Sequence, residues 1–153
     1  MELQRHRGPI RVALLYLAIT SGFLAIWILV APRDFYDTFP GGGAHWVSVL
    51  PPYNEHLERD FGATSLGIAV LSVLAAYWMD RRVVQATAAV WIAAGLPHLI
   101  YHATTTSHYS TGDNVASLFG LTLDVLLPLG ILYLASAGAQ GITARPAPAG
   151  ESP

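Results

Sequence analysis

The sequence predicts an all-α protein: an antiparallel bundle of four transmembrane helices with an ordered outer loop between helices 1 and 2. Three observations predict it. Of 153 residues, 53% are hydrophobic and only 12% are charged, where a soluble domain carries roughly a quarter. Mean hydropathy is +0.44. Four apolar runs each reach the roughly 20 residues that a helix needs to cross a bilayer core. Helix is the expected form because lipid offers backbone groups no partner outside their own segment.

The elements follow in order. An N-terminal segment, about residues 1–11, carries Arg5, Arg7 and Arg11 and precedes the membrane domain, about residues 12–137. The first span, about residues 12–31, holds no charge; it is longer than a signal-peptide core and lacks a small-x-small cleavage site, so it is expected to remain as an anchor. Pro32 stops it. The segment after it, from Pro32 to Pro52, gathers Phe35, Tyr36, Phe39 and Trp46, rings that suit the headgroup region. Gly41, Gly42 and Gly43 give it a flexible point, and Pro51-Pro52 a stiff approach to a helix starting near Tyr53. This loop is expected to pack over the outer mouth of the bundle, above His56 and His102. An interfacial anchor is the plainer alternative.

The second span covers about residues 61–79 and the third about 83–101. Asp80-Arg81-Arg82 between them is a charged turn short enough to force a helical hairpin. Asp113-Asn114 is placed as the N-cap of the fourth span, about residues 115–137. A Pro/Ala/Gly-rich tail, residues 138–153, is expected to be disordered and cytoplasmic.

Charge and composition exclude several functions. The net charge is −2 and no basic face can be assembled for nucleic acid. Without cysteine there is no disulfide, thiolate metal site or thiol nucleophile. Every basic residue is Arg, which together with abundant Ala, Gly, Val and Leu points to a GC-rich bacterial genome. Arg5, Arg7, Arg11, Arg81, Arg82 and Arg145 fall on one side of the spans, and Arg33 and Arg59 on the other. The positive-inside rule places both termini in the cytoplasm of a bacterial cell, with a multi-pass protein in its membrane.

The remaining ionisable residues concentrate on the outer side. His56 and Asp60 are four apart, as are His98 and His102, and residues so spaced share a helix face. An H-x-x-x-H pair on a helix is a common seat for a metal. Asp124 lies about nine residues, roughly 13 Å, below the outer end of span four. A carboxylate there costs about 2.5–3.5 kcal/mol and needs a partner or a proton. The leading expectation is therefore a metal site of His56, Asp60, His98, His102 and Asp124. That set suits zinc, iron or manganese, and would make a membrane metalloenzyme acting on a lipid-soluble substrate. Copper(I) lacks sulfur ligands here. Haem, held by His56 with His98 or His102, is a weaker alternative.

Two other functions stay open. One is a metal-free pocket for an apolar ligand or acid/base chemistry, with His98 and Asp124 as its polar spot and Tyr77, Trp78, Trp91 and Tyr101 lining it. The other is an accessory subunit of a larger membrane complex or a homo-oligomer. Gly22, Gly67, Ala69, Ala75, Ala76, Ala93, Ala94 and Gly95 would permit close helix approach. Glu55 and Arg59 are placed as a simple surface pair, and His45 and His108 as surface residues.

The run Tyr53-Asn54-Glu55-His56-Leu57-x-Arg59-Asp60-x-Gly62, with Pro97-His98-x-x-x-His102, resembles an uncharacterised actinobacterial family of four-helix integral membrane proteins. In size and topology the chain is also similar to DoxX-like proteins, and in architecture to four-helix EXPERA isomerases. The resemblance implies topology and brings no activity or site residue with it.

Overall fold

A computed structural model describes residues 6–50 and 52–136. The expected disordered tail, like residues 1–5 of the N-terminal segment, lies outside the described residues. Four long helices dominate: α1 (Arg7–Val30), α3 (Glu55–Trp78), α4 (Arg81–Thr104) and α5 (Thr111–Ser136). Each is long and apolar enough to cross a membrane. A short helix α2 (Pro32–Thr38) and a two-residue ribbon, β1 (Pro40–Gly41) with β2 (Ala44–His45), fill part of the connection from α1 to α3.

Local chemistry explains the helix ends, which reach several residues beyond the apolar runs. Asn54 starts α3, its side chain accepting from Leu57 N at 3.2 Å. Met79 ends it in the left-handed region at φ 51°, and Asp80 at once caps α4 by accepting from Arg82 N and Val83 N. The start of α5 differs from expectation. Ser110 takes the cap position: its hydroxyl accepts from Asp113 N at 3.1 Å and donates to Asp113 Oδ2 at 2.6 Å. Asp113 thus sits three residues inside as the reciprocal acceptor, and a helix read from its apolar run begins too late.

Contacts between helices run in opposite sequence order. Arg11 on α1 meets Ala76 on α3, Ser21 meets Ser65, and Ile28 meets Gly62. Gln85 on α4 meets Ser136 on α5, and Gly95 meets Asp124. α1 packs most closely on α3, and α4 on α5. The two pairs join through a core of Ile10, Leu14, Leu17, Ala75, Met79, Val84, Ala88, Trp91, Ile131 and Ala135. These residues come from the start of α1 and α4 and the end of α3 and α5, so the core lies toward the Met79–Asp80 turn. The opposite, loop end carries residues 31–54 and 105–110.

Small residues decide where backbones approach. Gly22 faces Ala69 across α1 and α3, with 3.7 Å from its would-be Cβ to that methyl. Gly62 admits Ile28 so closely that a Cβ would stand 2.8 Å from its Cγ2. Ala75 and Ala76 are buried, whereas Gly67, Ala93 and Ala94 are exposed. Two buried polar side chains pair in the core: Trp91 Nε1 donates to Ser72 Oγ at 2.8 Å, and Ser72 Oγ donates to Ile68 O at 2.9 Å.

The outside is apolar. Val12, Ile19, Phe23, Ile26, Val30, Val115, Phe119 and Tyr133 all face outward, far more exposed apolar side chain than a water-soluble surface shows. Four such helices make this a small multi-pass membrane protein in contact with the lipid bilayer.

Candidate functional site at the loop end

The two histidine pairs form, each on its own helix. His56 Nε2 lies 3.3 Å from Asp60 Oδ2, with side chains 85% and 63% exposed. The His98 and His102 ring centroids are 4.9 Å apart. Both follow from the i, i+4 spacing. The helices do not bring the pairs together, because the residue of α3 that meets His98 is Phe61, its ring edge-on at 6.5 Å. One residue is 100° of helical rotation, so Asp60 and His56 face away from the face that Phe61 presents to α4. Among the described residues no three His, Asp or Glu side chains converge on one point.

His98, His102 and Asp124 lie on α4 and α5, which pack closely on each other. Asp124 lies opposite Gly95, its carbonyl oxygen 3.4 Å from the would-be Cβ. Pro128 has no N–H to give that carbonyl, so the helix contact is made where the backbone acceptor is free. Gly95 stands nearly one turn below His98. Side chains lean toward their helix N-terminus, so His98 on α4 leans toward the turn end and Asp124 on α5 toward the loop end. The two lean toward each other's level. Asp124 makes no side-chain hydrogen bond among the described residues, and it is half-buried.

His102 is the better enclosed imidazole. Its ring sits between Tyr101, 5.5 Å away, and Tyr109, 5.8 Å away, and its Nδ1 is buried without a hydrogen-bond partner. A buried ring nitrogen normally finds one. Burial raises the Tyr109 phenol above its ordinary pKa, and its hydroxyl donates to Trp46 O at 2.8 Å.

That bond reaches the connection between α1 and α3. Trp46 Nε1 donates to Asp113 Oδ1 at 2.8 Å, tying the α1–α3 connection to the start of α5. Beneath it Trp27, Phe35, Phe39 and Trp46 form a chain of ring contacts between 4.8 and 6.1 Å. Arg33 lies over the Tyr53 ring at 5.0 Å and bonds Asp37 at 2.7 Å; that bond holds its guanidinium above its ordinary pKa. The three glycines at the loop's tip all take positive φ, 102°, 65° and 87°. Gly42 and Gly43 form the turn of the β1–β2 ribbon, and Gly41 ends β1.

The other expectations divide. Arg59 bonds Glu55 at 2.8 Å as a surface pair, and also donates to Leu29 O at 2.9 Å, closing the end of α1. His45 and His108 are exposed. Trp91 is in the core at the turn side, and Tyr77 and Trp78 face outward at the far end of α3, so of the four proposed lining aromatics only Tyr101 stands beside the imidazoles. The aromatic chain under Trp46 was not expected from sequence; its signal was the spacing Phe35–Phe39 on one helical face. Comparison with protein-family models, with curated proteins and with solved structures gives no match to this chain.

Proposed function

We propose that the chain is an antiparallel four-helix bundle of the bacterial cell membrane that binds one divalent transition metal ion at its loop end through His98 and His102, with Asp124 as third donor. Both termini lie on the cytoplasmic side. The observation carrying this reading is the imidazole pair on one face of α4, one ring nitrogen of which, His102 Nδ1, is buried with no partner. Neutral imidazoles four apart present two nitrogens to one ion. The lean of Asp124 toward the level of His98 supports a carboxylate as the third donor. His56 and Asp60 fall outside this set.

Zinc, iron or manganese suits two imidazoles and a carboxylate. With positions left open, such an ion supplies Lewis acidity toward water or a bound oxygen atom. His98 and His102 would hold it, Asp124 would balance its charge, and the loop tied at Trp46 would limit access of bulk water. His98 is exposed on a helix long and apolar enough to cross a membrane, which suits a lipid-soluble substrate. Arg7, Arg11, Arg81 and Arg82 at the turn end support the cytoplasmic assignment. The likeness to the actinobacterial four-helix family stands as a proposal alongside it.

Phe61 edge-on to His98 favours one second reading: a metal-free pocket for an apolar ligand, with His98 and Asp124 as its polar groups. Elemental analysis and an absorption spectrum on tag-free protein in mild detergent separate the two. About one ion per chain, lost in the His98→Ala/His102→Ala variant, supports the metal site. Metal-free protein that also fails to retain added zinc overturns it. A co-purifying lipophilic compound in that case supports the apolar pocket.

A further inference from the structure

A groove of about 420 Å³ runs along α1 and α3 at the turn end, lined by Arg11, Leu15, Val73, Ala76 and Tyr77. Arg11 Nε donates to Ala76 O at 3.0 Å, which fixes the guanidinium at the groove's mouth. No other hydrogen bond or ion pair engages Arg11 among the described residues, and its side chain is exposed. Leu15 and Val73 lie one helical turn further from the turn end than Arg11 and Tyr77. The groove therefore grades from a fixed cation with a phenol beside it to a bare apolar trough.

We infer that this groove is a binding site for an anionic phospholipid of the leaflet at the turn end. Its phosphate would meet the two free nitrogens of Arg11, and an acyl chain would lie along Leu15 and Val73. The guanidinium presents a planar fork that matches two phosphate oxygens. Held through Nε, it has already lost the freedom that a loose surface Arg would lose on binding. Charge selects the occupant: a second groove of about 450 Å³, lined by Pro9, Val12, Ala13, Tyr16, Leu123 and Leu127, has the apolar trough but no cation. Arg82, exposed at the same end and outside either groove, serves as an internal control for general attraction to anionic membrane.

The test is native mass spectrometry of lipid retained by the full chain from nanodiscs holding equal phosphatidylglycerol and phosphatidylcholine. Wild type is expected to retain phosphatidylglycerol preferentially. Arg11→Gln should lower that retention about tenfold, the weight of a charge-assisted hydrogen bond, while Arg82→Gln leaves it unchanged. Leu15→Trp fills the trough with the charge intact and should lower retention too; its exposed position keeps the test valid if Arg11→Gln does not fold. Equal retention of the two lipids overturns the inference, as does equal loss in Arg82→Gln. Displacement by inorganic phosphate alone also overturns it, because the site would then take a free anion.

Discussion

Trp46 and Asp113, 67 residues apart in sequence, are joined by a 2.8 Å hydrogen bond from the indole N–H to the carboxylate. This bond links the connection between α1 and α3 to the start of α5, at the end away from the main core cluster. The Asp113 carboxylate is itself steadied by the Ser110 hydroxyl, so one residue serves as partner of the helix cap and as anchor for the loop. The loop's attachment to the α4–α5 pair depends on this link together with the Tyr109 hydroxyl on Trp46 O.

Trp46→Phe tests that dependence. Phenylalanine keeps a ring against Phe39 but removes the N–H that reaches Asp113. A bond to a charged acceptor contributes about 1.5–3 kcal/mol, so exchange of the amide protons of Trp46 and Leu50, which bond within the loop, should speed up about tenfold or more. Amides of α1 should keep their protection. Unchanged loop exchange would show that ring packing alone holds the loop.

Ser72 and Trp91 make the buried polar contact between α3 and α4. Ser72→Ala leaves the indole N–H without an acceptor in the core, where no water replaces it. Interhelical bonds in membranes average about 0.6 kcal/mol, with unsatisfied buried groups costing more. The expected loss is about 1 kcal/mol in a detergent unfolding titration. Trp91→Phe in the Ser72→Ala background should recover the polar part of that loss, and a double-mutant cycle reads it directly.

Hydropathy made the four spans legible, and capping chemistry at Asn54 and Asp80 agreed with the turns read from sequence. What sequence did not reveal was rotation. Asp60 and Phe61 are adjacent, and only packing decides which of them faces His98; here Gly62 seats against Ile28, and that contact fixes the azimuth of α3. In a membrane helix apolar residues surround the axis, so periodicity gives a weak direction. The i, i+4 pairs were therefore visible, while their separation was not. The Ser110 cap was hidden for a related reason, since Asp113 is an equally good cap by composition and only the helix register distinguishes them.

Gly62 and Gly67 give a paired test of that azimuth. A Cβ on Gly62 would stand 2.8 Å from Ile28 Cγ2 and 3.1 Å from Leu29 Cγ, whereas Gly67 has nothing within 4 Å. Gly62→Ala should destabilise by about 1–3 kcal/mol through overpacking. Gly67→Ala should leave stability unchanged or raise it by a few tenths, by about the helix preference of Ala over Gly. Thermal melts in one detergent compare them, and equal effects would refute the close α1–α3 seam.

His56 and Asp60 carry the last prediction, because they test which histidines make the site. They are exposed, face away from Phe61's side of α3, and already satisfy each other at 3.3 Å. An ion seated by His98 and His102 gains nothing from them, so His56→Ala/Asp60→Ala should keep the full metal content of wild type, with zinc affinity within about twofold. Loss of His102 alone should weaken zinc by about 10- to 100-fold, as removing one of few ligands or its orienting partner does. Zinc titration of both variants in the same detergent makes the comparison. If the His56/Asp60 variant loses metal as completely as the His102 variant, the ion must draw α3 round to α4, and the site would be the full set of four residues from both helices, assembled by the metal itself.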